Sequence, residues 1–187
     1  MEALRRRAIA LLLLALAALH AGSAPRGELA AGEYQIKAAF LHHFAQFVDW
    51  PPNVVGPGAP LIIGLVGDDP FGRAIDEVVA GKRANGHPIV IRHMRWNDSF
   101  GSVQMLFVST SELQHLEAIL DATRGFSVLT VSDFEGFTER GGIIELVTVD
   151  HRVRFDINPS AAAEAHLKIS SKLLQVARSI RDTVEVR

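Results

Sequence analysis

The chemically capable side chains of this chain are its eight histidines and a few short carboxylate clusters. His42 and His43 are adjacent in a stretch with helical spacing, so they point apart and cannot chelate one ion together. His87 and His93 could share one face of a strand, but the sequence places no third ligand beside them. No His-Glu-x-x-His and no Gly-x-Ser-x-Gly elbow occurs. Gly64-Leu65-Val66-Gly67 lacks the spacing of a dinucleotide loop, and Gly81-Lys82 is followed by Arg83 rather than the Ser or Thr of a phosphate loop. The chain contains no cysteine, which excludes a thiol nucleophile, a thiolate metal site and an intrinsic thiol switch. No catalytic set assembles. The expectation is a protein that is not an enzyme, with no cofactor and no metal.

One constellation could still bind a ligand. Gly67, Asp68 and Asp69, then Ser109 and Thr110, then Ser132 and Asp133 each follow a short apolar run that reads as a strand. If those strands are parallel, their carboxyl ends share one edge. The crevice outside that edge is where open α/β sheets bind ligands, and free N–H groups of helix N-termini there suit an anion. These residues are therefore the candidate pocket for a small molecule of unknown identity.

The elements that must position them follow from periodicity. Runs at 61–66, 89–92, 105–108 and 128–132 read as strands, and 143–149 with 153–157 flank Asp150-His151-Arg152 as an antiparallel hairpin. Asp69 is expected to cap a helix with Pro70 at its first position, running to about residue 80 and stopped by Gly81. Ser109 to Glu112 has capping-box spacing ahead of a helix that turns Leu113, Leu116, Ile119 and Leu120 inward and ends at Gly125. A last helix over 160–180 is expected from the stripe Ala162, Ala165, Ile169, Leu173, Val176 and Ile180. Alternation of this kind predicts an α/β fold. Its single mixed sheet would be largely parallel with a C-terminal antiparallel hairpin, and helices would pack on its faces.

The first helix, over 33–49, carries two apolar rows. Phe40, Phe44 and Phe47 form one; Tyr34, Ala38, Leu41, Ala45 and Val48 form the other. Together they exceed the stripe of about 100° that packs a surface helix on one core. The second row is a candidate interface for a second copy of the chain or another protein, unless the terminal helix covers it.

Ahead of this helix, Arg5, Arg6 and Arg7 precede an apolar run over 8–19 and the small residues Ala21, Gly22, Ser23 and Ala24. This is the pattern of a secretory signal peptide over about residues 1–24. The run falls short of the roughly 20 residues that span a bilayer. The expectation is an exported, soluble protein with one domain over 33–182. Hydrophobic content of 48% and charged content of 21% fit one ordinary core. A net charge of −2 offers no basic field for nucleic acid.

The blocks Glu33-Tyr34-Gln35-Ile36-Lys37-Ala38-Ala39-Phe40-Leu41 with Trp50-Pro51, Gly67-Asp68-Asp69-Pro70-Phe71-Gly72, Val131-Ser132-Asp133 with Gly141-Gly142-Ile143-Ile144, and Arg152-Val153-Arg154-Phe155-Asp156-Ile157-Asn158 with Leu167-Lys168-Ile169-Ser170-Ser171-Lys172-Leu173-Leu174 resemble, in order, those of the YfiR family. The resemblance covers nearly the whole chain after the leader. It implies a periplasmic regulator that represses an inner-membrane diguanylate cyclase through its periplasmic sensor part, and so lowers cyclic di-GMP. It also implies a disulfide in many relatives at the positions of Gly64 and Val103. Here both cysteines are gone together.

Overall fold

The computed structural model describes residues 26–181. The leader falls outside the described residues. The chain divides after Gly32, and from Glu33 onward it forms one compact unit. Helix α1 covers Arg26–Phe47 and is followed directly by the short strand β1, Val48–Asp49. Prolines at 51, 52, 57 and 60 keep the next stretch irregular up to β2, Leu61–Val66. Helix α2 (Arg73–Val79), β3 (Arg83–Ala84), β4 (His87–Met94) and β5 (Met105–Val108) come next. A 3₁₀ turn over Thr110–His115 leads into α3, Leu116–Thr123. Then follow β6 (Leu129–Ser132), β7 (Ile144–Val149) and β8 (Arg152–Ile157). The remaining elements are α4 (Pro159–Glu164), β9 (Lys168–Ile169), α5 (Ser171–Val176) and β10 (Ser179–Ile180).

The fold is α/β. The main sheet runs β10-β8-β7-β6-β5-β2-β4-β3 and is mostly parallel, with β7–β8 and β3–β4 as its antiparallel pairs. A separate small sheet joins β1 and β9 antiparallel, Val48 opposite Ile169. The hairpin is as the sequence predicts. Asp150 and His151 both take positive φ, 49° and 58°, which is the two-residue turn that matches strand twist.

Side chains alternate across the sheet and build a core on each face. Ile63, Leu65, Phe107 and Val131 meet Leu41, Phe44 and Ala45 of α1, with Phe155 from β8. Val66, Leu106 and Val108 meet Leu116 and Ile119 of α3 on the opposite face. Phe155 sits edge-on to both Phe40, at 5.5 Å, and Phe44, at 5.1 Å.

Local predictions give way where long-range contacts compete with them. The helix expected over 160–180 does not form. It divides into α4, β9, α5 and β10, because His166 turns into the left-handed region (φ 56°) and Ile169 pairs with Val48 instead. Ser170 N–H then bonds Phe47 O at 2.9 Å, and Arg178 N–H bonds Phe155 O at 2.8 Å. Nor does Pro70 open a helix. Asp69 Oδ1 accepts from Phe71 N–H at 2.8 Å and Gly72 N–H at 3.2 Å, closing a turn, and α2 begins at Arg73. The capping box is likewise replaced by a 3₁₀ turn, in which Glu112 accepts from His115 and Leu113 is 48% exposed rather than inward.

Candidate functional site

Strand register brings the seven strand-end residues to one edge. Val66 lies opposite Val108, and Val108 opposite Ser132, so Gly67, Ser109 and Asp133 follow in one row. The edge is tightly packed by its own loops. Gly67 has φ +90°, and a Cβ there would lie 2.4 Å from Ser111 Oγ and 2.7 Å from Glu112 Cγ. The Ser111 hydroxyl accepts from Asp68 N–H at 2.9 Å. Ser132 donates its hydroxyl to Val108 O at 2.6 Å, and Ser109 is buried with its N–H on Val66 O at 3.0 Å. Thr110 alone of the hydroxyl residues in this row is exposed. The Asp69 carboxylate and the Ser132 hydroxyl are thus taken up locally, whereas the Asp68 carboxylate is exposed.

Asp133 behaves differently, because helix α1 delivers partners to it. Tyr34 donates its hydroxyl to Asp133 Oδ2 at 2.8 Å and Lys37 its ammonium at 2.7 Å. Lys37 also pairs with Glu33 at 2.6 Å, one turn earlier on the helix. The Lys37 and Asp133 side chains are each only 5% exposed. Burial, reinforced by the Asp133 carboxylate, pushes the Tyr34 phenol well above its usual range. Burial also acts to raise Glu33, but the hydrogen bonds from Lys37 and Thr148 and the charge of Lys37 outweigh it and hold its carboxyl below 4.5.

Beside this cluster opens a cleft of about 510 Å³. Its wall includes Asp133, Lys37, Glu145 and Arg178. Glu145 is buried and satisfied, accepting from Gly136 N–H at 3.1 Å, Thr138 N–H at 3.2 Å and the Thr138 hydroxyl at 3.1 Å. Sequence reasoning singled out Asp133 but missed Lys37, Glu145 and Arg178. A lysine inside an otherwise apolar helix stretch, with glutamate four residues before it, was the available signal.

The second row of α1 is not a free surface. Ala38, Leu41, Ala45 and Val48 are 0% exposed within the single chain, and Tyr34 is half-buried against Phe71 and Asp133. The excess apolar circumference is covered by the chain itself, for this row shares one buried cluster with residues of β2, β5, β6, β7 and β8. The expectation of an interface is therefore corrected for Ala38, Leu41, Ala45 and Val48, which are core, while Tyr34 is only half-buried.

Gly64 and Val103 do stand together. A Cβ at Gly64 would lie 3.5 Å from Val103 Cγ1, so the two positions are in van der Waals contact. Met94 Sδ, 2.8 Å from the same point, occupies the space instead.

The chain matches the YfiR/HmsC-like family over residues 34–178. No curated protein matches it. Among solved structures it is similar to a conserved domain protein from Vibrio cholerae O1 biovar El Tor, with a TM-score of 0.55 and 12% identity over 79% of this chain. It is also similar to an ABC domain in complex with L-Trp from Streptococcus pneumonia, with a TM-score of 0.51 and 12% identity over 75% of this chain. The chain spans 60% of the length of each. At this identity the likeness is one of fold.

Proposed function

The chain belongs to the YfiR/HmsC-like family, and from that premise we propose that it is a periplasmic regulatory protein. It acts by binding the periplasmic sensor part of an inner-membrane diguanylate cyclase, and by repressing that cyclase it lowers cyclic di-GMP. The family match over 34–178, which takes in every element from within α1 to the approach to β10, is the observation that carries this reading. The export pattern at the N-terminus supports the compartment. Among the described residues no helix is long and apolar enough to cross a membrane.

A second reading rests on the cleft beside Asp133. It is a small-solute site at the carboxyl end of the sheet, with Asp133 and Lys37 among the several charged groups on its wall. Two measurements separate the readings. Capture of a diguanylate cyclase from solubilised membranes by the tagged protein supports the first. A solute-induced rise in melting temperature that Asp133→Asn abolishes supports the second, and absence of a cyclase from the capture removes the first.

A further inference from the structure

β10 covers β8 only at Asp156 and Ile157. Among the described residues no strand pairs with the half of β8 nearer the turn on this side. Alternation decides which backbone groups face it. The carbonyls of Phe155 and Ile157 accept from Arg178 N–H and Arg181 N–H, at 2.8 Å each, on the side away from β7. Val153, two residues earlier, turns its N–H and C=O to that same side. Among the described residues neither group has a partner.

The side chains at this edge are mainly cationic and apolar, three arginines against the one carboxylate of Asp150. Arg152 and Arg154 project from the solvent face of β8, opposite Val149 and Val147 of β7. Both are exposed, and neither makes an ion pair or hydrogen bond among the described residues. Arg178 stands beside them, held by Asp156, which accepts from both its Nε and its Nη2. Between hairpin and edge segment lies a cleft of about 540 Å³, lined by these three arginines, the single acid Asp150 of the turn, and Val149, Val176 and Ala177. Val149 is 40% and Val176 63% exposed. Unpaired guanidinium groups two residues apart on one strand match carboxylates two residues apart on another, and free backbone groups beside them match a strand's own backbone.

We propose that this edge receives an extended acidic segment of the partner protein, added as a further strand along Arg152–Arg154. The proposal rests on the regulatory reading for its partner, and on the geometry alone for its chemistry. A small anion would engage the arginines but leave the Val153 edge idle, and a flat bilayer surface would not enter the cleft.

The probe is a fluorescent hexapeptide of alternating glutamate and valine, titrated by anisotropy against its lysine–valine counterpart. The full exported chain should bind the glutamate peptide and discriminate against the lysine peptide by at least about tenfold. Arg152→Glu with Arg154→Glu should weaken binding by a factor on the order of ten. Val153→Pro should do likewise, because it removes an edge donor without touching the β7 ladder. If that variant does not fold, protection of the Val153 amide from hydrogen exchange on peptide addition replaces it. Equal binding of the two peptides overturns the proposal. So does displacement of the peptide by inorganic phosphate with Val153 left unprotected, or by vesicles of phosphatidylglycerol. In cells, the double arginine variant should fail to restore repression in a deletion strain. Full restoration by that variant overturns this surface and leaves the regulatory reading standing, whereas a deletion without effect removes the regulatory reading itself.

Discussion

Helix α1 and the β7–β8 corner show how differently an apolar or charged pattern can end. In α1 the sequence displays more apolar surface than one face requires, and the chain buries it. Leu41, Phe44 and Ala45 are wholly enclosed, and the buried Lys37 is balanced by Asp133. In the corner the sequence displays a strand of arginines alternating with apolar residues, and the chain leaves its outer face open, with Arg152 and Arg154 unpaired among the described residues. A surplus of apolar residues on a helix therefore does not by itself mark an interface. An uncovered strand edge with unpaired charge is the better indication, because none of the described residues satisfies it.

The contrast is broken most severely by placing a charge in each region. Leu41→Glu should abolish folding, since a carboxylate buried without a partner costs more than a domain of this size can lose. Arg152→Glu should shift stability by no more than about 0.5 kcal/mol, as expected for an exposed position. Thermal unfolding followed by circular dichroism distinguishes the two. A folded Leu41→Glu protein would return the row to the surface.

A smaller effect tests the ion pair that ties α1 to the strand end. Lys37→Met leaves Asp133 buried with only the Tyr34 hydroxyl, and should cost about 3 kcal/mol. Adding Asp133→Leu should recover much of that loss, because the pair is then replaced by apolar packing rather than broken. Chemical denaturation of the single and double variants gives both numbers. A single variant as stable as the parent would mean that the pair is not buried.

The smallest effect concerns acid. His42 is buried on α1 and its Nε2 has no hydrogen-bond partner among the described residues. Burial, with the nearby charges of Lys82 and His43, holds its imidazole below the ordinary 6.5. The unfolded chain therefore binds the proton more readily than the folded one, and stability should decline as pH falls below 6.5. His42→Phe should flatten that part of the profile. An unchanged slope would assign it to other groups.

Much of this fold is legible in the sequence. The strands at 61–66 and 105–108, the hairpin around Asp150-His151 and the shared edge of Gly67, Ser109 and Asp133 follow from apolar runs and turn residues. The terminal segment is not legible. Its stripe from Ala162 to Ile180 has helical period throughout, yet β1 and the edge of β8 compete for its backbone and win at Ile169 and Ser179. Such competitors lie more than a hundred and about twenty residues away in the chain, beyond the reach of any local pattern. The site is legible to a similar degree. Asp133 stands out at a strand end, but its partner Lys37 lies 96 residues earlier, and only the packing of α1 on the sheet joins them. The face row of α1 misleads because helical period reports apolarity without saying who covers it.

The proposed regulatory role is tested most directly by deleting the gene and measuring cyclic di-GMP in cells that carry a membrane diguanylate cyclase. Deletion should raise the nucleotide, and expression of the wild-type chain should return it to its former level. A deletion strain whose cyclic di-GMP is unchanged would contradict the account.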